Sequence, residues 1–267
     1  MRVVMEKHFL LCLCIFLKVN VSEQKAASSF AMNMMSVAKQ MRDEEALKRR
    51  MSQDHVIKSM RPNGDCAYEL MCRWKTIHAL KASGHFLSRE KLHEEVSDAE
   101  VALMRQAIAG EQQQHVLEKG NACLKTLISQ SKTDWYQNPS QNNGANEEVW
   151  AAVQNRHEDV TETEWLSSPE ALELHSSLIK NGKNIVFAES PEFEAFSLMT
   201  GVPVAIYLPG HCELYPQSTY CRSDADYLVG ICNGNHYFLA VPKTWLEEHQ
   251  GEVVGKLSFF PFEHMRI

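Results

Sequence analysis

Arg61-Pro62-Asn63-Gly64-Asp65-Cys66-Ala67-Tyr68-Glu69-Leu70 is the stretch on which the reading of this chain turns. Pro62-Asn63-Gly64 breaks the chain, and from Ala67 to about Ala82 the residues Leu70, Met71, Trp74, Ile77, Ala79 and Leu80 recur with a helical period. The pattern predicts a polar turn running straight into a helix, with Cys66 at the junction. Backbone N–H groups and the dipole at a helix start stabilise a thiolate, and a thiolate is a nucleophile at neutral pH. A nucleophilic cysteine also needs a histidine within reach, and the histidine needs an orienting partner.

Upstream of the turn, Phe30, Met34, Val37 and Met41 fall on one helical face, so a helix is expected over 30–51, with Asp43 to Arg50 as a solvated charged stretch. Phe9 to Leu17 is a continuous apolar run preceded by Arg2, Lys7 and His8. It is too short for a membrane span and suits a signal-peptide core, but Lys18 follows at once and the small residues come late. A signal-like segment over 1–22, a spurious upstream start and a buried N-terminal segment all fit.

Downstream, helices are expected through 89–130. Ser97 is followed by Glu100 at capping-box spacing, and Val101, Met104, Ile108, Val116, Leu117, Cys123, Leu124 and Leu127 supply apolar stripes. Residues 137–147 are polar and turn-rich and predict an exposed loop, and Pro169 opens another helix. The pattern then turns to strands. Asn184–Ala188 is a short apolar run, Glu192–Thr200 is a helix ending at Gly201, and Val202–Leu208 is a strand with Pro203 at its start. Further strands are expected at Cys212–Tyr215, Tyr227–Cys232, His236–Val241 and Leu257–Phe260. Asn233-Gly234 lies between two of these and is a hairpin signal. Helices first and a mostly antiparallel sheet last is an α+β pattern.

The net charge of −7 and the lack of a long basic run argue against nucleic acid. The chain has 267 residues and 44% hydrophobic content, enough to bury a core without disulfide staples. Its eight cysteines are irregularly spaced and form no C-x2-C pair, which disfavours zinc; most should be small buried hydrophobes. No metal or cofactor is implied. Among twelve histidines His236 has the informative position, at the mouth of a strand just after Asn233-Gly234-Asn235.

Asn63-Gly64-Asp65-Cys66-Ala67-Tyr68 resembles the cysteine box of the ovarian-tumour (OTU) family of deubiquitinating cysteine proteases. Gly234-Asn235-His236-Tyr237 looks like that family's histidine strand, and Glu192 to Tyr207 resembles its helix-then-strand segment, in the family's order. Papain-like proteases share the order but place a glutamine just before the cysteine, and His55–Asp65 contains none. The resemblance covers about residues 55–262. It implies an OTU-like fold, a central mostly antiparallel sheet flanked by helices, in a catalytic domain over 56–267 behind a helical leader over 1–55. It implies a thiol protease, a deubiquitinase, that acts on ubiquitin, polyubiquitin chains or a ubiquitin-like protein in a reducing, cytoplasmic setting. The divergence of the boxes looks like the effector-type members that intracellular bacteria and parasites deliver into host cells.

In that scheme Cys66 is the nucleophile, His236 the base, and the backbone amides of Gly64, Asp65 and Cys66 the oxyanion donors. The chain departs from the family at Asn63, where an Asp is usual, and at Phe238, where many members carry Asp or Asn. Phenylalanine cannot orient an imidazole, so the role falls to Asn63, with Asn233 and Asn235 behind it; strand alternation points Asn235 away from His236. The alternative reading of Asn63, ranked behind the orienting role, is a turn residue bonding its own backbone. Asp65 is expected to face solvent, and Tyr68 and Trp74 to be core. Two other functions stay open: a weak or inactive ubiquitin-binding module of the same fold, and an interaction protein in which the cysteine box is an accidental turn.

Overall fold

The computed structural model describes residues 43–137, 168–181, 188–209, 211–216, 227–233 and 236–247. The chain divides into two compact units, residues 1–47 and 48–267. Expectations for residues 1–42, for the loop over 137–147 beyond residue 137, for residues 184–187 of the apolar run and for the strand at 257–260 lie outside the described residues. The larger unit is mixed α and β, as the element pattern predicts.

A helical stretch ends at residue 51 and leads into β1 (His55–Ser59), a strand not anticipated from the sequence. The helix over the cysteine box follows as α1 (Cys66–Ala82), and a short α2 (Arg89–His93) precedes α3 (Asp98–Gln113). The Ser97–Glu100 capping box starts α3 in both directions, with Ser97 accepting from the Glu100 amide and Glu100 accepting from the Ser97 amide. Two cations close the region around α2. Lys58 donates to the carbonyls of Leu92 and Glu94, and Arg73 donates to that of Lys91.

Beyond α3 the helix loosens into one π-turn, Gln114–Glu118, and stops at Gly120, which sits at φ 63°. This break upsets the expected apolar stripe. Leu117 and Cys123 are exposed, whereas Leu124, Leu127 and Ile128 of α4 (Ala122–Gln137) are buried. The extra residue of a π-turn rotates everything after it relative to the α3 face. α5 (Pro169–Asn181) and α6 (Ser190–Thr200) pack on α3, where Gln112 donates to Glu192 inside the core. Gly201 ends α6 in the left-handed conformation, as its position predicts.

The sheet follows as β2 (Val204–Leu208), β3 (His211–Tyr215), β4 (Leu228–Asn233) and β5 (His236–Pro242). Its order is β1-β5-β4-β2-β3, with only β2–β4 parallel. The β4–β5 hairpin pairs Asn233 with His236, the register that the two-residue Gly234-Asn235 connection requires. Side chains alternate across this hairpin. Leu228, Cys232, Tyr237, Leu239 and Val241 join the main core with Leu70, Trp74, Phe193 and Phe196. Gly230 lies under α1, where an added Cβ would stand 2.7 Å from Ile206 Cδ1 and 3.3 Å from Leu70 Cδ1. Tyr68 and Trp74 are core residues as expected, and the Trp74 indole N–H donates to the Tyr227 carbonyl.

Phe193 of α6 ties the sheet to the helices through its neighbours Tyr215 (ring centroids 5.8 Å apart) and Tyr237 (5.4 Å). Removing its ring leaves a cavity between two aromatic partners. Phe193→Ala is expected to lower unfolding stability by about 3–5 kcal/mol in urea denaturation, and a loss under about 1 kcal/mol would show that this contact does not hold α6 on the sheet.

Candidate functional site

The cysteine loop is held at both ends by ion pairs. At its start, the Arg61 backbone N–H donates to one carboxylate oxygen of Glu69 while Arg61 Nε donates to the other. Glu69 lies in the first turn of α1, so the loop is clamped to the helix it feeds. Arg61 also donates to the Val96 carbonyl and to Asp98. At the end of the loop, Asp65 accepts from Nε and Nη2 of Arg105 on α3. Asp65 was expected to face solvent; it is only 7% exposed. Its carboxylate is drawn inward by Arg105, which lies over the Tyr68 ring at 4.1 Å and also donates to the Ile179 carbonyl.

Between these anchors Gly64 takes φ 81°, a conformation that favours glycine. Asn63 Oδ1 accepts from the Asp65 amide at 3.0 Å. This is the local turn bond that the sequence left open for Asn63. It engages one of the three expected oxyanion donors, the Asp65 N–H, inside the loop itself. The Glu69 amide donates back to the Asp65 carbonyl, so the helix begins at Cys66, as predicted.

Cys66 is buried, and its thiol lies against the backbone of Tyr237, the residue after His236. Burial pushes the thiol pKa up, while backbone hydrogen bonds from Tyr237, Ala67 and Cys66 itself pull it down; Glu69 adds to the rise. The net direction is upward, opposite to what the helix start alone suggests, because desolvation of the thiolate outweighs the local N–H groups. Cys72, one turn and a half further on, is pushed to about 12 by its burial and is a core residue.

His236 opens β5 on the opposite face from Tyr237. Its ring meets Phe238 edge-on at 4.7 Å, and Lys48 stands over the other ring of that pair, 3.8 Å from the Phe238 centroid. Among the described residues its hydrogen-bond partner is Ser59 Oγ on β1, 3.0 Å from Nε2. Burial holds the imidazole pKa below 6.5; the charge on Lys48 acts the same way and Glu69 opposes it. The structure therefore brings Cys66 and the His236 strand to one end of the sheet and places Asn63 in the turn beside them. Asn233 pairs with His236 across the hairpin, and Asn235 lies outside the described residues. Ser59 was not found from sequence. Its only signal is its place opposite Phe238 in the β1–β5 register.

Among the described residues no group of three or more His, Cys, Asp or Glu is placed to hold a metal ion, and no helix is long and apolar enough to cross a membrane. No family model and no curated protein matches this sequence.

Two outcomes test this geometry. Asp65→Ala would leave the Arg105 charge buried without its partner and is expected to cost about 3–5 kcal/mol, with the Asp65→Ala/Arg105→Met double variant recovering part of it in thermal or urea unfolding. In the free protein Cys66 should react slowly with iodoacetamide near neutral pH and faster as pH rises past 9, the ordinary thiol value, read by peptide mass spectrometry. The sign follows from burial: the fold favours the neutral thiol, and that preference is lost as pH climbs through the raised pKa. Fast, pH-independent alkylation at pH 6–7 would mean a thiolate already formed.

Proposed function

We propose that this protein is a thiol-dependent isopeptidase that releases ubiquitin or a ubiquitin-like protein from conjugates, with an OTU-like architecture. The observation that carries the reading is the placement of the Cys66 thiol, at the first residue of α1, against the backbone next to His236. A cysteine at a helix start beside a histidine at a strand mouth is the arrangement that acyl transfer through a thioester requires. The two OTU-like boxes, far apart in sequence, converge at one end of the sheet, which supports the reading over a chance pair of motifs.

In this mechanism His236 takes the Cys66 proton as the substrate enters. The thiol and the imidazole are each driven toward the neutral form, since burial raises one pKa and lowers the other. The thiolate attacks the carbonyl carbon of the terminal glycine, and the Gly64 and Cys66 amides receive the developing oxyanion. The imidazolium then gives its proton to the departing lysine amine, leaving a thioester. Water, deprotonated by His236, hydrolyses the thioester, and the thiol is restored. Asn63 serves this chemistry by holding the Asp65 amide and hence the curvature of the loop.

The high thiol pKa favours a second reading, a ubiquitin-binding module of the same fold with little or no turnover. A ubiquitin probe with a C-terminal electrophile separates the two. Labelling of the 267-residue chain that disappears in Cys66→Ala supports the isopeptidase, whereas ubiquitin binding without labelling selects the binding module. Asn63→Ala is expected to slow labelling about 10- to 100-fold with the fold intact by circular dichroism, because misplacing the loop misplaces the thiol. Labelling at the unsubstituted rate would remove Asn63 from the site.

A further inference from the structure

We propose that Ser59 is the positioning residue of His236, taking the place left by Phe238. The inference rests on the isopeptidase reading for its catalytic meaning, but its geometry stands by itself. Ser59 faces Phe238 across the β1–β5 ladder, and its Oγ lies 3.0 Å from His236 Nε2. The position two residues after the histidine holds a ring that cannot accept a hydrogen bond. The neighbouring strand presents a hydroxyl on the same face, one ladder step away.

The second contact of the serine supplies the direction that this proposal gives the bond. Ser59 Oγ donates its proton to the Met60 carbonyl at 3.2 Å. A hydroxyl has one proton, so the oxygen has only lone pairs to offer the ring. With that proton engaged by Met60, the proposed donor is His236 through Nε2–H. That selects one neutral tautomer and leaves Nδ1 with its lone pair, the form required of a base. The Met60 peptide is itself fixed, because its amide donates to the Tyr237 carbonyl on β5. The strand that carries the histidine therefore also orders the residue that polarises its partner. Partial burial and the charge on Lys48 disfavour protonation of the imidazole, and the charge on Glu69 favours it.

Nitrogen NMR of the histidine-labelled 267-residue chain above pH 7 reads the tautomer directly and needs no substrate. The expected result is a His236 signal of the Nε2–H form alone, and an added Nδ1–H population in Ser59→Ala. Kinetics on a ubiquitin amide substrate should show kcat lowered about tenfold in Ser59→Ala with KM unchanged, and most of the rate restored in Ser59→Thr, which keeps the hydroxyl. Ser59 is exposed, so these changes leave the fold in place. A Ser59→Ala protein with the unsubstituted tautomer and rate overturns the proposal. Loss of labelling in Cys66→Ala is the separate control. If that control fails, the isopeptidase reading falls while the tautomer result still decides whether Ser59 orients the ring.

Discussion

The buried pair between Asp65 and Arg105 is the constraint on which the site depends. It joins the last residue before α1 to the middle of α3, and so fixes where the first helix begins relative to the helical layer. Two buried charges are expensive to desolvate, and such a pair is weak evidence for net stability. Its value here is positional. With Asp65 held, the next residue can only be the start of the helix, and its thiol is delivered to the end of β5. The Arg61–Glu69 clamp secures the other end of the same loop, so the five residues from Arg61 to Asp65 are pinned at both sides and Gly64 supplies the left-handed turn between them.

What the sequence made legible was local. The helix after the cysteine box, the Ser97–Glu100 cap, the Gly201 stop and the antiparallel pairing of the strands that flank Asn233-Gly234 all carry their cause within a few residues, and the described residues show each of them. The misses have distant causes. His55–Ser59 is five residues without a clear alternation, and it is a strand only because β5 supplies an edge to pair with. Asp65 is inside only because Arg105, forty residues on, meets it there. Ser59 has no motif at all; it is visible only once the register is known. The thiol pKa is raised rather than lowered because burial in the surrounding core, which no local stretch of sequence encodes, outweighs the helix start.

The site combines opposed tendencies. Burial favours the neutral form of both groups, enclosing the Cys66 thiol and covering the His236 imidazole only in part. Under the proposed isopeptidase reading, two groups held neutral have little reactivity toward stray electrophiles until a substrate excludes the remaining water. Glu69, clamped by Arg61, is the negative charge felt by both members of the pair, raising each pKa. It thereby favours protonated forms at both positions, and the clamp limits that influence by neutralising it.

The placement of β1 against β5 has a consequence for the birth of the protein. Ser59 and His236 are 177 residues apart in the chain yet hydrogen-bonded in the fold. Their strands are the earliest and the latest of the described sheet, and the edge position of β1 means nothing else in the sheet can pair with it. At a synthesis rate of about 5–20 residues per second, roughly ten to thirty-five seconds separate the two. Through that interval the cysteine loop and its helix exist without the strand that completes the site. Closing so long a loop carries an entropic cost that makes it a late event in folding. The nascent chain therefore carries Cys66 through synthesis without the His236 strand beside it, and the two meet only when β5 has formed.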